Sequence, residues 1–401
     1  MKRKVLTLFL ALSVLLTGIM PGWEETAQAE EGPIEIQVSR ISGSNRYTTS
    51  AEIAERVTQK ADKVIVASGE NYPDALVSAP LSMKGNFPIL LTAKNSLDPR
   101  VKTQLQALAP EEVVIAGGEG AVSSQVEEEI QSLTSGKITR IGGENRYQTA
   151  TLFKEYWEKT FGQDAKVTLV DGNNYPDALS AAGLIYEEGS LLLAGPGQTP
   201  AHVDLVIGGD KAVPGYPGIR RIAGEDRFAT AVEIAKAAGK SSVILVDGKN
   251  FPDALSAAAL AKKEGASILL VSGTHLPKPV QSYLEENKPT KVTIVGGENA
   301  VSKEIEKEIV PCIRGELHQS KPSTGNSTGQ DNPSTKPNSN PLIGNTGDPL
   351  KAKYLGNSDT KKFHWQSCSR AKKILPKNQV GFSSREEAIK NGFVPCKVCE
   401  P

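Results

Sequence analysis

Asn71-Tyr72-Pro73-Asp74-Ala75-Leu76 returns as Asn174-Tyr175-Pro176-Asp177-Ala178-Leu179 and again as Asn250-Phe251-Pro252-Asp253-Ala254-Leu255. Upstream of the three copies stand Arg40-Ile41-Ser42-Gly43-Ser44-Asn45-Arg46-Tyr47, Arg140-Ile141-Gly142-Gly143-Glu144-Asn145-Arg146-Tyr147 and Arg221-Ile222-Ala223-Gly224-Glu225-Asp226-Arg227-Phe228. Downstream come the aliphatic triplets Ile89-Leu90-Leu91, Leu191-Leu192-Leu193 and Ile268-Leu269-Leu270, and then Gly117-Gly118, Gly208-Gly209 and Gly296-Gly297. Four landmarks in one order, three times over, mark an internal repeat. Its period of roughly 80–100 residues is far longer than that of solenoids or propellers. Each copy is long enough to be a small packed domain.

The third copy shows the local logic. Ala229 to Ala238 carries Ala231, Ile234 and Ala235 on one helical stripe, and Ser242 to Val246 is a β-branched run. Pro252 suits a first helical position and Asp253 the first turn, so the spacing predicts a helix over Ala254 to Lys263, stopped by Gly265. A strand over Ser267 to Val271, a helix over Pro277 to Asn287, a strand over Val292 to Val295 and a helix over Ser302 to Ile309 follow. Strands alternating with helices through short connections predict an α/β fold: a parallel sheet covered on both faces, Rossmann-like or flavodoxin-like, in triplicate. The middle copy is short. Ile89 to Gly117 and Ile268 to Gly296 are each 28 positions apart, but Leu191 to Gly208 only 17. One helix is missing there, so a face of the middle sheet is expected to be bare or covered by a neighbour.

The N-terminus reads as a secretory signal over 1–29. Lys2, Arg3 and Lys4 precede an apolar run from Val5 to Leu16, and Ala27-Gln28-Ala29 fits a small-x-small cleavage site. The run is short for a span of ~20 residues, and no other stretch suits a bilayer. The net charge of zero hides an asymmetry, because Pro349 to Pro401 carries 11 Lys/Arg against 4 Asp/Glu. The repeat region is therefore acidic overall, and any anionic polymer it holds must be held at local sites.

These landmarks resemble the type 2 cell-wall-binding repeats of Gram-positive bacteria, over about Val38 to Arg314. The resemblance implies Rossmann-like repeats associating within the chain with pseudo-threefold symmetry. It also implies non-covalent anchoring to anionic wall polymers such as teichoic acids, at the cell surface after secretion. The family's Pro-Ile-Leu-Leu motif matches Pro88 to Leu91 outright; only the aliphatic triplets survive in the other copies. It makes Ile89, Leu90, Leu91, Ile268, Leu269 and Leu270 candidate ligand contacts, against the alternative that they are core strands. From the residues themselves, each copy sets two Arg six apart around a Gly-bearing turn. Such a turn exposes N–H groups to anions, and Arg offers a planar fork for phosphate. Arg46, Arg146 and Arg227 with Asp74, Asp177 and Asp253 are therefore candidate binding residues; the alternative is that Arg and Asp pair only to fix the fold. No Gly-x-Gly-x-x-Gly opens a helix, which argues against nucleotide binding. The repeats are placed at 36–137, 138–218 and 219–314.

Residues 315–350 are rich in Ser, Thr, Asn, Pro and Gly and read as a flexible linker. A second module follows over 351–401, with His364-x3-Cys368 and Cys396-x2-Cys399 spaced as a tetrahedral zinc site requires. A core this small is expected to need a metal staple. A disulfide among Cys368, Cys396 and Cys399 is the competing reading; Cys312 falls outside the pattern. The tail resembles the Ada-type metal-binding domain over about Tyr354 to Pro401. Because the first ligand is His364 in place of the thiolate, the resemblance implies a structural Zn2+ in a small α+β domain, without alkyl transfer. The basic surplus suits phosphate, and nucleic acid is a candidate partner. Phe363, Trp365 and Phe382 are either base-stacking or core residues. His202, His275, His318 and His364 form no catalytic constellation with carboxylates, so no enzyme is expected. Two alternatives to a wall-anchored protein remain at this stage: an extracellular DNA-binding protein, and a wall hydrolase or its accessory.

Overall fold

The computed structural model describes residues 35–181, 184, 189–195, 200–317 and, in the tail, 352–399 apart from 367, 369, 376, 377, 397 and 398. The expected signal segment, His318 and nearly all of the expected linker lie outside these residues. The chain divides into two compact units on either side of residue 322.

In the first unit, the first repeat runs β1 (Gln37–Ile41), α1 (Arg46–Val57), β2 (Lys63–Ser68), α2 (Pro73–Gly85), β3 (Ile89–Thr92), α3 (Pro99–Leu108), β4 (Glu112–Ala116) and α4 (Ser124–Leu133). The second gives β5 (Lys137–Ile141), α5 (Arg146–Phe161), β6 (Lys166–Asp171), α6 (Pro176–Ser180), β7 (Gly189–Ala194) and β8 (Leu205–Ile207). The third gives β9 (Arg220–Ile222), α7 (Arg227–Ala238), β10 (Ser242–Asp247), α8 (Pro252–Leu255), α9 (Ala257–Glu264), β11 (Ala266–Val271), α10 (Lys278–Asn287), β12 (Lys291–Val295) and α11 (Lys303–Ile313). The expected second helix of this repeat is broken at Ser256 into α8 and α9.

Three four-stranded parallel sheets result, ordered β3-β2-β4-β5, β7-β6-β8-β9 and β11-β10-β12-β1. Their strands are near-continuous apolar runs, as sheets buried on both faces require. In each sheet the last strand is donated by the next repeat: β5 pairs with β4, β9 with β8, and β1 returns to pair with β12. The expected boundary at 138 falls within β5 and that at 219 one residue before β9, so covalent repeat and folded sheet are offset by one strand. Because β1 closes onto the third sheet, the three sheets form a ring within one chain. This is a head-to-tail interface that closes at three.

The repeated phrase lies at the centre of that ring. Pro73, Pro176 and Pro252 each begin a helix at its first position. Leu76, Ala79, Ala178, Leu179, Leu255 and Ala258 meet there around a cavity of only about 10 Å³. The preceding aromatics form a three-sided cap, with ring centroids 5.4 Å apart for Tyr72–Tyr175, 5.7 Å for Tyr72–Phe251 and 5.5 Å for Tyr175–Phe251. Tyr72 donates its hydroxyl to Asn173 O at 2.9 Å and Tyr175 to Lys249 O at 2.5 Å, each reaching the next repeat. The tilted rings add to the area they bury.

The middle repeat has lost more than the spacing suggested. Among the described residues no helix stands between β7 and β8, and none between β8 and β9, so the counterparts of both α3 and α4 are gone. Its sheet is nevertheless not bare. α5 is longer than α1 and packs on β7, burying Phe153 and Trp157, while Val203 and Val213 fill in from the shortened loops.

The tail unit has an α+β core: β13 (Tyr354–Asn357), β14 (Lys362–Trp365), β15 (Gln379–Phe382), α12 (Arg385–Lys390) and β16 (Val394–Pro395), in the order β15-β13-β14-β16. Phe363 and Phe382 are wholly buried with Tyr354 and Phe393, which removes those two from the base-stacking candidates.

Candidate functional site

The two arginines of each repeat have different jobs. Arg40 spends its guanidinium on Gly296 O and Glu306, and Arg140 on Gly117 O, Val122 O and Glu127. Arg221 spends its own on Gly208 O, Val213 O and Gly215 O. These are clamps on the Gly-Gly turns: Arg40 and Arg140 use all three nitrogens, and Arg221 both Nη, with Asp210 at 3.2 Å beside them. Arg46, Arg146 and Arg227 begin α1, α5 and α7, behind the N-caps Asn45, Asn145 and Asp226, whose side chains accept from the first backbone N–H groups. Each donates only Nη1 to a glycine carbonyl: Gly69 O at 2.6 Å, Gly172 O at 2.7 Å and Gly248 O at 2.6 Å. Arg146 Nη1 also reaches Tyr72 Oη at 2.9 Å. Among the described residues, the other edge of each fork has no hydrogen-bond partner.

The aspartates face these arginines across the junctions between repeats. Asp74 faces Thr149 of the second repeat, Asp177 Thr230 of the third and Asp253 Thr49 of the first, and each feels the charge of the arginine on the same helix, Arg146, Arg227 and Arg46 in turn. The expected pairing of Arg46 with Asp74 within one copy is therefore corrected: partners are cyclically displaced, because ring closure sets the helix of one repeat against the phrase of the one before. Nor do they form ion pairs. Among the described residues no Arg nitrogen lies within 4.0 Å of an Asp74, Asp177 or Asp253 oxygen. Burial pushes all three carboxyls up, Asp177 to about 6, with Asp171 and Asp226 adding repulsion there and Asp247 at Asp253.

The Gly-Gly pairs complete each junction. Gly208 and Gly296 both have φ +112, and an added Cβ would lie 2.9 Å from Asp177 Oδ2 and 2.7 Å from Asp253 Oδ2; Gly117 touches Asp74 in the same way. Glycine is required there twice over. The second glycines, Gly118, Gly209 and Gly297, face open space. The crevice lies outside the carboxyl ends of β2 and β4, where strand order reverses, and likewise at β6/β8 and β10/β12. Open α/β sheets hold their ligands at such switch points.

The aliphatic triplets are not part of this surface. Ile89, Leu90, Leu91, Ile268, Leu269 and Leu270 are at most 1% exposed, and Leu191 to Leu193 at most 9%. They lie buried within β3, β7 and β11, so a polymer cannot reach them.

In the tail, His364 Nδ1 and the sulfurs of Cys368 and Cys399 lie within 4.8 Å of one another, with Cys399 to His364 at 3.8 Å. A tetrahedral zinc spaces such donors roughly 3.5–3.8 Å apart, so these three fit the ion. Cys396 is 1% exposed and close enough to raise the Cys399 thiol, but its sulfur stands outside that group of three. Burial, then Arg370 and Lys362, hold His364 below its ordinary range, which favours the neutral imidazole a metal needs. Beside it lies a cleft of about 390 Å³ lined by Lys362, Arg370, Lys373 and Asn357. Cys312 is buried, donates to Gln281 O at 3.4 Å and is pushed up to about 12 by burial, a passive thiol. All four cysteines are free thiols.

Comparison with known proteins agrees with this anatomy. Residues 40–127, 140–215 and 221–306 each match Cell wall binding domain 2. The chain belongs to that family. It is 29% identical to the N-acetylmuramoyl-L-alanine amidase LytC of Bacillus subtilis over 70% of this chain and 59% of that protein. It is 26% identical to the amidase enhancer of the same organism, over 67% of this chain and 40% of that one. Cwp6 and Cwp8 from Clostridium difficile share the fold, with TM-scores of 0.62 and 0.61 over 70% of this chain and 48% and 52% of theirs, at 23% and 25% identity. The chain thus spans about half the length of the relatives it matches. The repeats are a cell-wall-binding module, and they place the chain at the cell wall or surface. No helix among the described residues is long and apolar enough to cross a membrane.

Proposed function

We propose that the three repeats anchor this secreted protein in a Gram-positive wall by holding an anionic, teichoic-acid-like polymer at the junctions between repeats. The observation that carries this is the half-used fork of Arg46, Arg146 and Arg227, repeated at every junction while Arg40, Arg140 and Arg221 each spend both Nη groups on the turns. The free edges and the open second glycines donate to polymer oxygens. The test is sedimentation of mature protein with purified walls. Failure to sediment, or undiminished sedimentation after acid stripping of the anionic polymers, overturns the reading.

The tail is a zinc-stapled domain in this reading, held by His364, Cys368 and Cys399 with Cys396 as the fourth ligand. Zinc would supply the rigidity that two small buried clusters, of five and four side chains, lack. Metal analysis giving about one zinc per chain supports it; a value near zero with an oxidised cysteine pair refutes it. The cationic cleft favours nucleic acid as a second partner. A DNA mobility shift that weakens with salt is expected, and no shift at low salt removes that reading.

The chain acts as a binder rather than as an amidase. His202 is tied to Asp204 and His275 to Ser272, and among the described residues the single metal-ligating cluster is the tail's. Muropeptide release by the purified protein would overturn this. The likeness to the amidase enhancer favours an accessory role beside a wall hydrolase, tested by whether added protein raises amidase turnover on walls.

A further inference from the structure

Three cations of the tail converge on one cleft without a counter-charge. Lys362 and His364 are two apart on β14 and so share a face of the strand. Arg370 and Lys373 stand three apart across a single 3₁₀ turn, Ala371–Lys373, where such positions eclipse. With Asn357 and Ile374 they line the space of about 390 Å³. Nearby lysines are occupied: Lys353 lies over the rings of Tyr354 and Trp365, and Lys361 over Phe393. Among the described residues, Lys362, Arg370 and Lys373 have no side-chain hydrogen bond, ion pair or ring contact, and no Asp or Glu lines the cleft. Like charges gathered in a concavity focus a positive potential there, which draws in an anion. Asn357 adds one more donor. Its Oδ1 accepts from Asp359 N at 2.9 Å and Thr360 N at 3.3 Å, which leaves Nδ2 for a ligand.

A guanidinium, two ammoniums and an amide N–H group donate and do not accept, so the group they complement is an anion rich in acceptors, as a phosphate is. The cleft has the volume of a small-molecule site, which holds one unit of a polymer and not a duplex. Single strands of nucleic acid are held by stacking their bases on aromatic rings. No ring lines this cleft, and Phe363 and Phe382 are wholly buried. The chemistry that remains is a phosphate on a small unit without a base. We infer that the cleft is a subsite for the polyol-phosphate units of an anionic wall polymer, with Lys362, Arg370 and Lys373 on the phosphate oxygens and Asn357 and Ile374 beside the polyol. The inference rests on the wall-anchoring reading and adds a second grip outside the repeats. Two sites on one chain raise each other's effective concentration for one polymer.

The test uses the full mature chain, purified walls and the triple variant Lys362→Gln, Arg370→Gln, Lys373→Gln. At low salt the variant should bind walls at least about tenfold more weakly than the parent, with the same zinc content and no lower melting temperature, because the three cations hold no other group in place. The difference should close at about 1 M salt, where charges are screened within ~3 Å. Equal binding by parent and variant at low salt overturns the inference and leaves anchoring by the repeats intact, whereas a parent that does not bind walls sinks the anchoring itself. The second arm is calorimetry with a short polyglycerol phosphate and with a single-stranded oligonucleotide of the same phosphate count. The polyglycerol phosphate should bind the parent more tightly, and the variant should lose that binding in part. Tighter binding of the oligonucleotide, likewise reduced in the variant, makes the cleft a nucleic-acid site and overturns the inference.

Discussion

Replacing Asp177 by Asn should make the protein more stable above pH ~6. The Asp177 carboxyl is pushed up from the ordinary 3.8 to about 6, by burial first, with Thr230 and Arg227 opposing and Asp171 and Asp226 adding to it. A shift of about two units at ~1.36 kcal/mol each makes the ionised form cost the folded state up to about 3 kcal/mol. Between pH ~4 and ~6 the folded state binds more protons than the unfolded one, so stability from this group falls as pH rises through that window. Above it the penalty is fully present. Asn removes the charge but must place an amide, so the expected net gain at pH 7.5 is roughly 1–2 kcal/mol. Urea unfolding of parent and variant across pH 4.5–7.5 is the assay. The two curves should converge towards the acid end, the variant lying above at neutral pH. A variant that is less stable at pH 7.5 refutes the reasoning, because the carboxylate would then be a structural partner of Arg227.

Three further outcomes follow from the geometry. Gly296→Ala forces a Cβ to 2.7 Å from Asp253 Oδ2 at φ +112, and should cost more than ~1 kcal/mol, read as a lowered melting temperature. Tyr175→Phe removes the 2.5 Å bond to Lys249 O and should cost about 0.5–1.5 kcal/mol by urea unfolding, without disturbing the ring cap that Phe251 already shares. Chelation should abolish the tail's near-ultraviolet signal from Trp365 while the repeats still sediment with walls.

Much of this was written locally. Asn45, Asn145 and Asp226 announce helices because only a short acceptor side chain caps them, and Pro73, Pro176 and Pro252 start the next ones. What spacing cannot carry is which copy a residue meets. Arg46 sits nearer in sequence to Asp74 than to Asp253, yet ring closure gives it Asp253, since β1 is paired with β12 across most of the chain. The burial of Ile89 to Leu91 follows from the strand period, but a motif that repeats looks the same whether it repeats for packing or for binding. The second missing helix escaped because the count stopped at Gly208; from Gly208 to Arg221 is 13 positions, against 23 from Gly117 to Arg140.

The losses in the middle repeat say what the architecture needs. α3 and α4 pack against each other, with most of the first repeat's outer core beneath them in a cluster of its own. Their counterparts are what the second repeat has shed. What it keeps is Asp177, Arg146, Thr149, Gly208 and Tyr175, which either line a junction or cap the axis. A head-to-tail ring of three has no spare member: one defective junction would open it. The outer helices stabilise a single sheet and can be traded for a longer α5 with Phe153 and Trp157 beneath it. The junction residues act between repeats, and nothing within one repeat can replace them. On the proposed reading, retention of all three junctions in a chain that has thinned one repeat keeps three linked sites for a single polymer strand, each raising the effective concentration of the others.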